Sequence, residues 1–424
     1  MTLSQYMYDI IAGLSLLNFS RLLIMLIGSD AYDIVQIVRK KQMRAKSRRY
    51  NPKITIIVPA YNEETGVVRT VRSILKNNYK NKEIVVVNDG SRDKTGSALR
   101  NYQRKYPGQF TIVTQANSGK AAAINRAVRY WSSGQLVMVV DADSLLHPDA
   151  IANMVAHFRN HQIIAAAANV KIIPTRTLLG IAQRFEYLIS YRMKRALTVF
   201  NMEYIVGGVG STFRRSVLLK AGLYDTDTMT EDIDLTVKLI REYGNKKYRI
   251  HYASDALAYT EHVLSFGALI KQRFRWKYGR FQTLLKNTEL FFSDDLKYDK
   301  RLTWYQLPYA LVGEFVLLLE PILVGYILFV VVRYADITSL LSVYIIVTSF
   351  IFLMLLGEET EKFQVKAGLA LLLPLAYVLM YILTAVEFAA LIKSIRQAPQ
   401  LFRRELTEAS WEHVERSNQN VSIT

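Results

Sequence analysis

Two aspartates, Asp141 and Asp143, stand two positions apart directly after the apolar run at residues 136–140. A turn at the end of a strand can aim both carboxylates at one ion. A hard divalent cation held by carboxylates can neutralise a diphosphate and assist its departure. The same spacing also suits an Asp-rich turn that caps a following helix. Asp89, which follows another apolar run, favours the metal interpretation.

A nucleotide could be held by Glu63 and Asp89, with the Asp89 carboxylate accepting hydrogen bonds from a base or a ribose. Both residues also fit ordinary polar turns. Lys120 begins a predicted helix at residues 120–132, where an anion could bind. The residues around it lack the G-x-x-x-x-G-K-S/T pattern, so a Walker A loop is not predicted.

The acidic run Thr230-Glu231-Asp232 precedes a helical pattern at residues 235–241. Acids at this position are typical of a helix start, where they interact favourably with the helix dipole. The functional interpretation is that Asp232 acts as a general base. A sugar hydroxyl is a poor nucleophile near neutral pH, so its attack requires a group that takes its proton.

A cationic and aromatic cluster occupies residues 272–276, ahead of a long apolar region. Gln272, Arg275 and Trp276 are spaced i, i+3 and i+4, which places them on one face of a helix. Arginine offers a planar fork to phosphate, and tryptophan offers an apolar plate to a sugar ring. We expect Arg273 and Phe274 to face lipid or the protein core instead.

The elements that must position these residues alternate between strands and helices. Short β-branched or apolar runs at residues 54–58, 84–87, 110–113 and 136–140 predict strands. Helical spacing at residues 67–76, 95–106 and 120–132 predicts the helices between them. This rhythm predicts an α/β domain with a parallel sheet, helices on both faces, and ligands at the carboxyl ends of the strands.

The composition points to a membrane protein that binds phosphate. Of the 424 residues, 51% are hydrophobic, which is high for a soluble enzyme, and 54 basic side chains against 36 acidic ones leave a net charge of +18. Such charge suits a phosphate-bearing ligand or an anionic membrane. Nucleic acid is not expected as a partner, because it would leave the apolar segments unexplained. The absence of cysteine excludes disulfides and thiolate metal sites.

Four apolar stretches predict membrane spans, one near the amino end and three at residues 308–332, 340–356 and 369–391. The predicted organisation is an uncleaved anchor at 1–38, a cytoplasmic catalytic domain at 39–299, channel-forming spans at 300–393 and a polar tail at 394–424. The basic run at residues 39–49 places the catalytic domain in the cytoplasm. Three later crossings would put the tail outside, whereas its Lys and Arg residues favour the inside.

Two basic amphipathic stretches, residues 178–195 and 264–290, predict helices that lie in the membrane interface. Each carries apolar side chains at helical spacing among several arginines and lysines. A surface helix of a soluble domain would show a similar pattern. The neighbouring spans favour the interfacial position.

Taken in order, the motifs resemble those of membrane-integrated processive glycosyltransferases of family 2, which make cellulose, chitin, hyaluronan and poly-N-acetylglucosamine. The resemblance covers about residues 54–280 and the flanking apolar segments. Within the family the chain is similar to bacterial poly-β-1,6-N-acetylglucosamine synthases. That narrower likeness lies in Gly210-Ser211-Thr212-Phe213-Arg214-Arg215-Ser216 and in Met229-Thr230-Glu231-Asp232-Ile233-Asp234. The motifs shared with the family as a whole are Pro59-Ala60-Tyr61-Asn62-Glu63, Asn88-Asp89-Gly90-Ser91, Gly119-Lys120, Asp141-Ala142-Asp143, Thr230-Glu231-Asp232 and Gln272-x-x-Arg275-Trp276.

The resemblance implies a GT-A fold, a UDP-sugar donor, a polysaccharide acceptor and Mg²⁺ or Mn²⁺. It implies that Asp232 is the base and that a multi-pass enzyme in the cell membrane exports its product, with an accessory membrane subunit as a further expected partner. Nucleotide binding falls to Ala60, Tyr61, Glu63, Asp89, Lys120 and Asp141. Metal binding falls to Asp141 and Asp143, and positioning of the acceptor and diphosphate to Glu231, Gln272, Arg275 and Trp276.

Three other functions remain open at this point: a non-processive transferase with a lipid acceptor, a synthase of another polymer, and a catalytically silent transport or scaffold protein. The sugar and its linkage do not follow from the motifs. The charged run Lys277-Tyr278-Gly279-Arg280 departs from the family pattern, in which less charged residues are common after the tryptophan.

Overall fold

The computed structural model describes residues 3–46, 50–335 and 337–402. The strands are β1 (Ile54–Ala60), β2 (Lys82–Asp89), β3 (Thr111–Gln115), β4 (Leu136–Val139), β5 (Leu145–Leu146), β6 (Ile163–Ile172), β7 (Ser211–Arg214) and β8 (Arg249–Thr260). The helices are α1 (Leu3–Lys46), α2 (Val67–Leu75), α3 (Thr95–Lys105), α4 (Lys120–Tyr130), α5 (Ala150–His157), α6 (Leu178–Val199), α7 (Arg215–Lys220), α8 (Glu231–Tyr243), α9 (Phe266–Lys286), α10 (Leu307–Tyr334), α11 (Ile337–Leu356), α12 (Phe363–Leu371) and α13 (Leu373–Phe402).

The eight strands form one sheet in the order β3-β2-β1-β4-β7-β6-β8-β5. The first four, which the sequence predicts, pair in parallel. The expectation of a parallel sheet is thus confirmed for these four strands and is wrong for the rest, because β7 runs antiparallel to both β4 and β6, and β5 antiparallel to β8. The sheet is therefore mixed.

Alternating side chains of the parallel strands build a core on each face of the sheet. Ile57, Val85 and Val139 pack with α4 and α8 on one face. Ile56 and Val86 pack with α2, α3 and α5 on the other. Because both faces are covered, the ends of the strands are left as the place where polar side chains can gather.

Helices α6 and α9 connect this domain to the carboxyl-terminal helices. Each begins with a hydroxyl cap: Thr177 accepts a hydrogen bond from the Gly180 amide, and Ser265 accepts one from the Ala268 amide. Helix α6 packs against α1, α11 and α13, and α9 packs against α8 and α13. The two amphipathic patterns thus mark helices that lie between the sheet and the apolar helices.

Among the described residues, two helices are long and apolar enough to cross a membrane, Arg301–Tyr334 and Leu373–Pro399. A shorter apolar helix covers Leu340–Leu356. The amino-terminal segment is a single helix, α1, that extends beyond the predicted anchor to Lys46. The four-span count, the domain boundaries and the side of the membrane on which the tail lies stay predictions, and the tail beyond residue 402 lies outside the described residues.

Candidate active site

The first group of site residues lies where β1 and β4 end. Ala60 closes β1, and the loop after it carries Tyr61 and Glu63. Gly66 lies against the turn that carries the Asp pair: a Cβ on Gly66 would come 2.9 Å from the Ala142 carbonyl oxygen and 3.4 Å from Glu63 Oε2. The absence of a side chain at Gly66 therefore lets the Glu63 loop approach the predicted metal site.

Asp89 ends β2 and is fully buried. Its carboxylate accepts hydrogen bonds from Gln115 Nε2 at 2.7 Å, from the Ser118 amide at 3.0 Å and from the Gly119 amide at 2.9 Å. These contacts hold the loop that leads into α4 and Lys120. Asp89 thus has a structural contact to the neighbouring loop that the sequence did not reveal, and its nucleotide-binding role stays a prediction.

Lys120 joins two predicted site regions that are more than 80 residues apart. Its ammonium lies 2.9 Å from Asp141 Oδ1 and 2.9 Å from Glu231 Oε1. Although burial opposes protonation, Asp141 and Glu231 raise the pKa of Lys120 well above its usual value. A permanent positive charge therefore bridges the carboxyl end of β4 and the amino end of α8.

Gly208 lets the backbone pass this cation closely. A Cβ on Gly208 would lie 3.1 Å from Lys120 Nζ and 3.4 Å from each carboxylate oxygen of Asp141. Neither motif spacing nor helical pattern singled out this glycine. Its importance comes from a contact between distant segments.

Asp232 lies in the first turn of α8, beside this cluster. Burial and the Glu231 carboxylate raise the pKa of Asp232 to about 6, and the nearby Lys120 opposes the rise. Such a carboxylate is ionised at neutral pH and is more basic than an ordinary aspartate. These are the properties that a general base needs.

Helix α9 lies against the start of α8. A Cβ on Gly279 would come 2.7 Å from Thr230 Cγ2, and the Met229 amide donates to Gln282 Oε1 at 2.9 Å. The Gln272 side chain is buried, whereas Arg275 and Trp276 are partly exposed. The structure thus packs the helix that carries the predicted positioning residues against the segment that leads to Asp232.

The residues Arg273 and Phe274 are buried within the protein, in agreement with the expectation of a core position. Arg273 pairs with Glu186 at 2.6 Å, and its guanidinium lies 4.4 Å from the centre of the Trp276 ring. This contact orients the tryptophan from its own helix.

Two tyrosines near the site were missed. Burial raises the pKa of Tyr191 well above its usual value, and the charges of Asp232 and Asp141 contribute to the rise. Burial also raises the pKa of Tyr224, with Glu231 next in effect. Both phenols thus stay protonated in the electrostatic field of the acids. Apolar periodicity cannot distinguish such tyrosines from ordinary core aromatics.

A second group of acids, Asp225, Asp227 and Asp234, brings three carboxylates together. The ammonium of Lys286 lies among them, 2.7 Å from Asp225, 3.0 Å from Asp227 and 3.4 Å from Asp234. A protein cation thus neutralises this cluster, which links α8 to the end of α9. Asp141 is paired with Lys120 in the same way, so a lysine contact does not separate the two groups, and the metal site at Asp141 and Asp143 stays a prediction.

Residues 52–279 match the family described as Glycosyltransferase like family 2. The chain belongs to that family. Over 244 residues it is 34% identical to the poly-beta-1,6-N-acetyl-D-glucosamine synthase of Staphylococcus aureus, covering 57% of each chain. The corresponding synthase of Staphylococcus epidermidis is 33% identical over 236 residues, covering 55% of this chain and 56% of its own. The match therefore spans a little over half the length of these relatives.

Among solved structures, the chain is similar to a mannosyltransferase from Pyrobaculum calidifontis in complex with GDP-Man and Mn²⁺. The TM-score is 0.54 at 20% identity, and the alignment covers 88% of this chain and 98% of the other. This likeness shows the fold. The predictions of a GT-A glycosyltransferase fold, of family 2 membership and of an enzyme are confirmed.

Proposed function

We propose that this glycosyltransferase moves N-acetylglucosamine from UDP-N-acetylglucosamine to the end of a growing β-linked polysaccharide, with inversion at the anomeric carbon. The observation that carries the proposal is the Lys120 bridge between Asp141 and Glu231. It brings the predicted diphosphate site and the predicted base into one cluster. The identity to poly-N-acetylglucosamine synthases supports the choice of sugar.

In this proposal the acceptor hydroxyl oxygen forms a bond to the anomeric carbon as the bond from that carbon to the UDP oxygen breaks. The hydroxyl proton moves to the Asp232 carboxylate, and UDP leaves with the bonding electron pair. Lys120 stabilises the negative charge that grows on the leaving diphosphate. Glu63 and Asp89 bind the nucleoside with the Ala60 and Tyr61 segment, while Gln272, Arg275 and Trp276 hold the acceptor.

The donor set fits a divalent cation. Asp141 and Asp143 offer oxygen ligands, which Mg²⁺ and Mn²⁺ prefer, and both side chains are partly exposed in the turn after β4. When bound, such an ion would offset the charge of the diphosphate. Lys120 already occupies one side of Asp141, so it assists in the same task.

Processive growth and export rest on the placement of α9. This helix packs against α8, which carries the proposed base, and against α13, which is long and apolar enough to cross a bilayer. A polymer end held by α9 would therefore lie close to both. We propose a multi-pass enzyme of the cell membrane, with its catalytic domain in the cytoplasm and with room for an accessory membrane subunit.

The test uses membranes that contain the full chain, incubated with labelled UDP-N-acetylglucosamine and Mg²⁺ or Mn²⁺. We expect UDP release and long polymer. Asp232→Asn should retain UDP binding and lose about 10²–10⁴-fold in turnover, because it removes the proton acceptor. Asp143→Asn provides the comparison, since it should weaken the effect of the metal and leave the base intact.

Each alternative has its own outcome in this assay. A glycolipid or disaccharide as the sole product would exclude processive synthesis and favour a non-processive transferase. Faster UDP release with another UDP-sugar would identify that sugar nucleotide as the donor. Substantial turnover in Asp232→Asn would show that the base has been misassigned.

A further inference from the structure

Six charged side chains form a compact network where α6, α9, α10 and α13 meet. The cations all come from α9, and the acids come from the three surrounding helices. We refer to this group as the α9 charge network. Its members are Arg273, Lys277, Arg280, Glu186, Glu314 and Glu387.

Each cation of the network contacts at least one acid. Arg273 pairs with Glu186 at 2.6 Å and with Glu387 at 3.4 Å. Lys277 lies 2.7 Å from both Glu314 and Glu387. Arg280 also contacts Glu314. The charged run after Trp276, which departs from the family pattern, is therefore matched by acids on the helices that pack around α9.

The network is largely withdrawn from solvent. The side chains of Arg273, Lys277 and Glu314 are less than a tenth exposed. Burying charges is costly unless they are paired, and removing one partner leaves the other uncompensated. Glu314 and Glu387 lie on the two helices long and apolar enough to cross a membrane, where an acid without a partner is especially unfavourable.

The network surrounds the proposed acceptor-binding residues. Arg273 follows Gln272 directly and stacks on the Trp276 ring, while Lys277 follows Trp276 directly. Glu387 contacts both Arg273 and Lys277, so one carboxylate from α13 holds α9 on both sides of the tryptophan. On its other side α9 is packed against Thr230 at the start of α8.

We propose that Glu186, Glu314 and Glu387 are positioning residues that set the place of Gln272 and Trp276 through Arg273 and Lys277, and so hold the acceptor end in line with Asp232. This inference rests on the proposed function. It assigns to the apolar helices the task of fixing the position of the acceptor-binding helix α9. The acids affect acceptor binding through α9. They do not affect donor binding, because Lys120 and Asp141 lie outside the network.

The experiment compares Glu387→Gln with Glu320→Gln in the purified full chain in lipid nanodiscs. Glu320 lies on α10 outside the network, which makes it a matched control for loss of a carboxylate in an apolar helix. The KM values are measured for UDP-N-acetylglucosamine and for an added β-1,6-linked N-acetylglucosamine oligomer, together with product length.

Glu387→Gln should raise the KM of the oligomer at least tenfold and shorten the product, with the donor KM changed less than twofold. Glu387→Asp, which keeps the charge, should recover part of the loss. Combining Glu387→Gln with Lys277→Met should cost less than the sum of the two single changes. Glu320→Gln should match the wild type.

A direct readout of position is the fluorescence of Trp276 in a chain whose Trp131, Trp304 and Trp411 are replaced by Phe. Loosening of the Arg273 stack in Glu387→Gln should make acrylamide quenching at least twofold stronger. Unchanged quenching together with an unchanged oligomer KM overturns the inference, as do equal effects of Glu387→Gln and Glu320→Gln.

Where Glu387→Gln does not fold, Glu387→Asp is used, because its shorter side chain reaches Arg273 and Lys277 less well and should still raise the KM of the oligomer, though by less than tenfold. A wild-type chain that releases UDP without extending the oligomer would refute the proposed polymer synthesis and the inference with it. Extension by the wild type with unaffected variants would overturn the inference alone.

Discussion

The sheet with the helices that cover it, here called the catalytic domain, packs differently from the helical region, which comprises α1, α6 and α9 to α13. In the catalytic domain, aliphatic strands are buried, and Asp141 and Asp143, the acids proposed to bind a metal, are partly exposed at the edge of the sheet. In the helical region, large apolar side chains such as Phe329 and Val332 point outward, at 61% and 83% exposure, while charged side chains are buried between helices. Under the proposed function, charged side chains bind substrate and take part in the reaction in the catalytic domain, whereas they hold helices together in the helical region.

The largest loss of stability is expected for Arg195→Met in the helical region. Arg195 is buried on α6 and pairs with Asp33 of α1 at 2.8 Å and with Glu358 after α11 at 2.8 Å. Its removal takes one cation from this buried group and leaves Asp33 with Arg192 and Glu358 with Lys171. Because the charges are buried, the loss should cost about 3–5 kcal/mol of stability. Thermal unfolding of the chain in detergent measures the loss, and a midpoint equal to that of the wild type would contradict the cohesive role.

In the catalytic domain, Lys120→Met should lower turnover strongly and stability only slightly. We expect about a 10²-fold loss of turnover, because the variant removes the charge that we propose stabilises the leaving diphosphate. The unfolding midpoint should change much less than in Arg195→Met, since Asp141 and Glu231 are closer to solvent. Steady-state kinetics and thermal unfolding of the same preparation show whether turnover or stability is lost. A variant that unfolds early yet keeps full turnover when folded would assign Lys120 to structure.

The pH dependence of activity tests which buried carboxylate of α8 is the base. Burial and Glu231 raise the pKa of Asp232 to about 6, and only the ionised form can accept a proton. The value of kcat/KM should therefore fall about tenfold per pH unit below pH 6 and level off above it. Asp234 is the matched control, because burial raises its pKa to about 6 as well, although its partner is Lys286 at the end of α9. The acidic limb should persist in Asp234→Asn, and its disappearance there would assign the limb to the wrong carboxylate.

The smallest effect is expected for Lys300→Ala. Lys300 pairs with Asp294 at 2.7 Å, but both side chains are about 70% exposed. Exposed ion pairs contribute about 0–1 kcal/mol, so the unfolding midpoint should hardly move. A loss as large as that of Arg195→Met would show that burial does not separate the two kinds of pair.

The sequence predicted the elements whose pattern is local. The β-branched or apolar runs of β1 to β4 indicated strands, and the helical spacing within residues 264–290 indicated α9. The strands β5 to β8 were not predicted. Among them, β6 is rich in alanine, which favours helices, and β5 and β7 are two and four residues long. The antiparallel β7 could not be anticipated from a repeating strand and helix pattern.

For the candidate site too, local motifs indicated residues but did not predict the contacts between distant segments. Motifs identified Asp141, Asp143 and Asp232 because each stands at the end of an apolar run or at the start of a helix. The bridge through Lys120 joins segments that are distant in the chain, and no spacing rule predicts it. Burial of Asp89 under the loop before α4 likewise depends on tertiary contacts.

The close approach at Gly279 has a consequence for engineering. Because any side chain there would collide with Thr230, α8 and α9 must move apart to admit one. Libraries meant to change the sugar specificity should therefore hold positions 230 and 279 constant and diversify the open loops after β1 and β4. A deliberate Gly279→Ala change, by contrast, would force α8 and α9 apart and so test whether activity depends on their close contact.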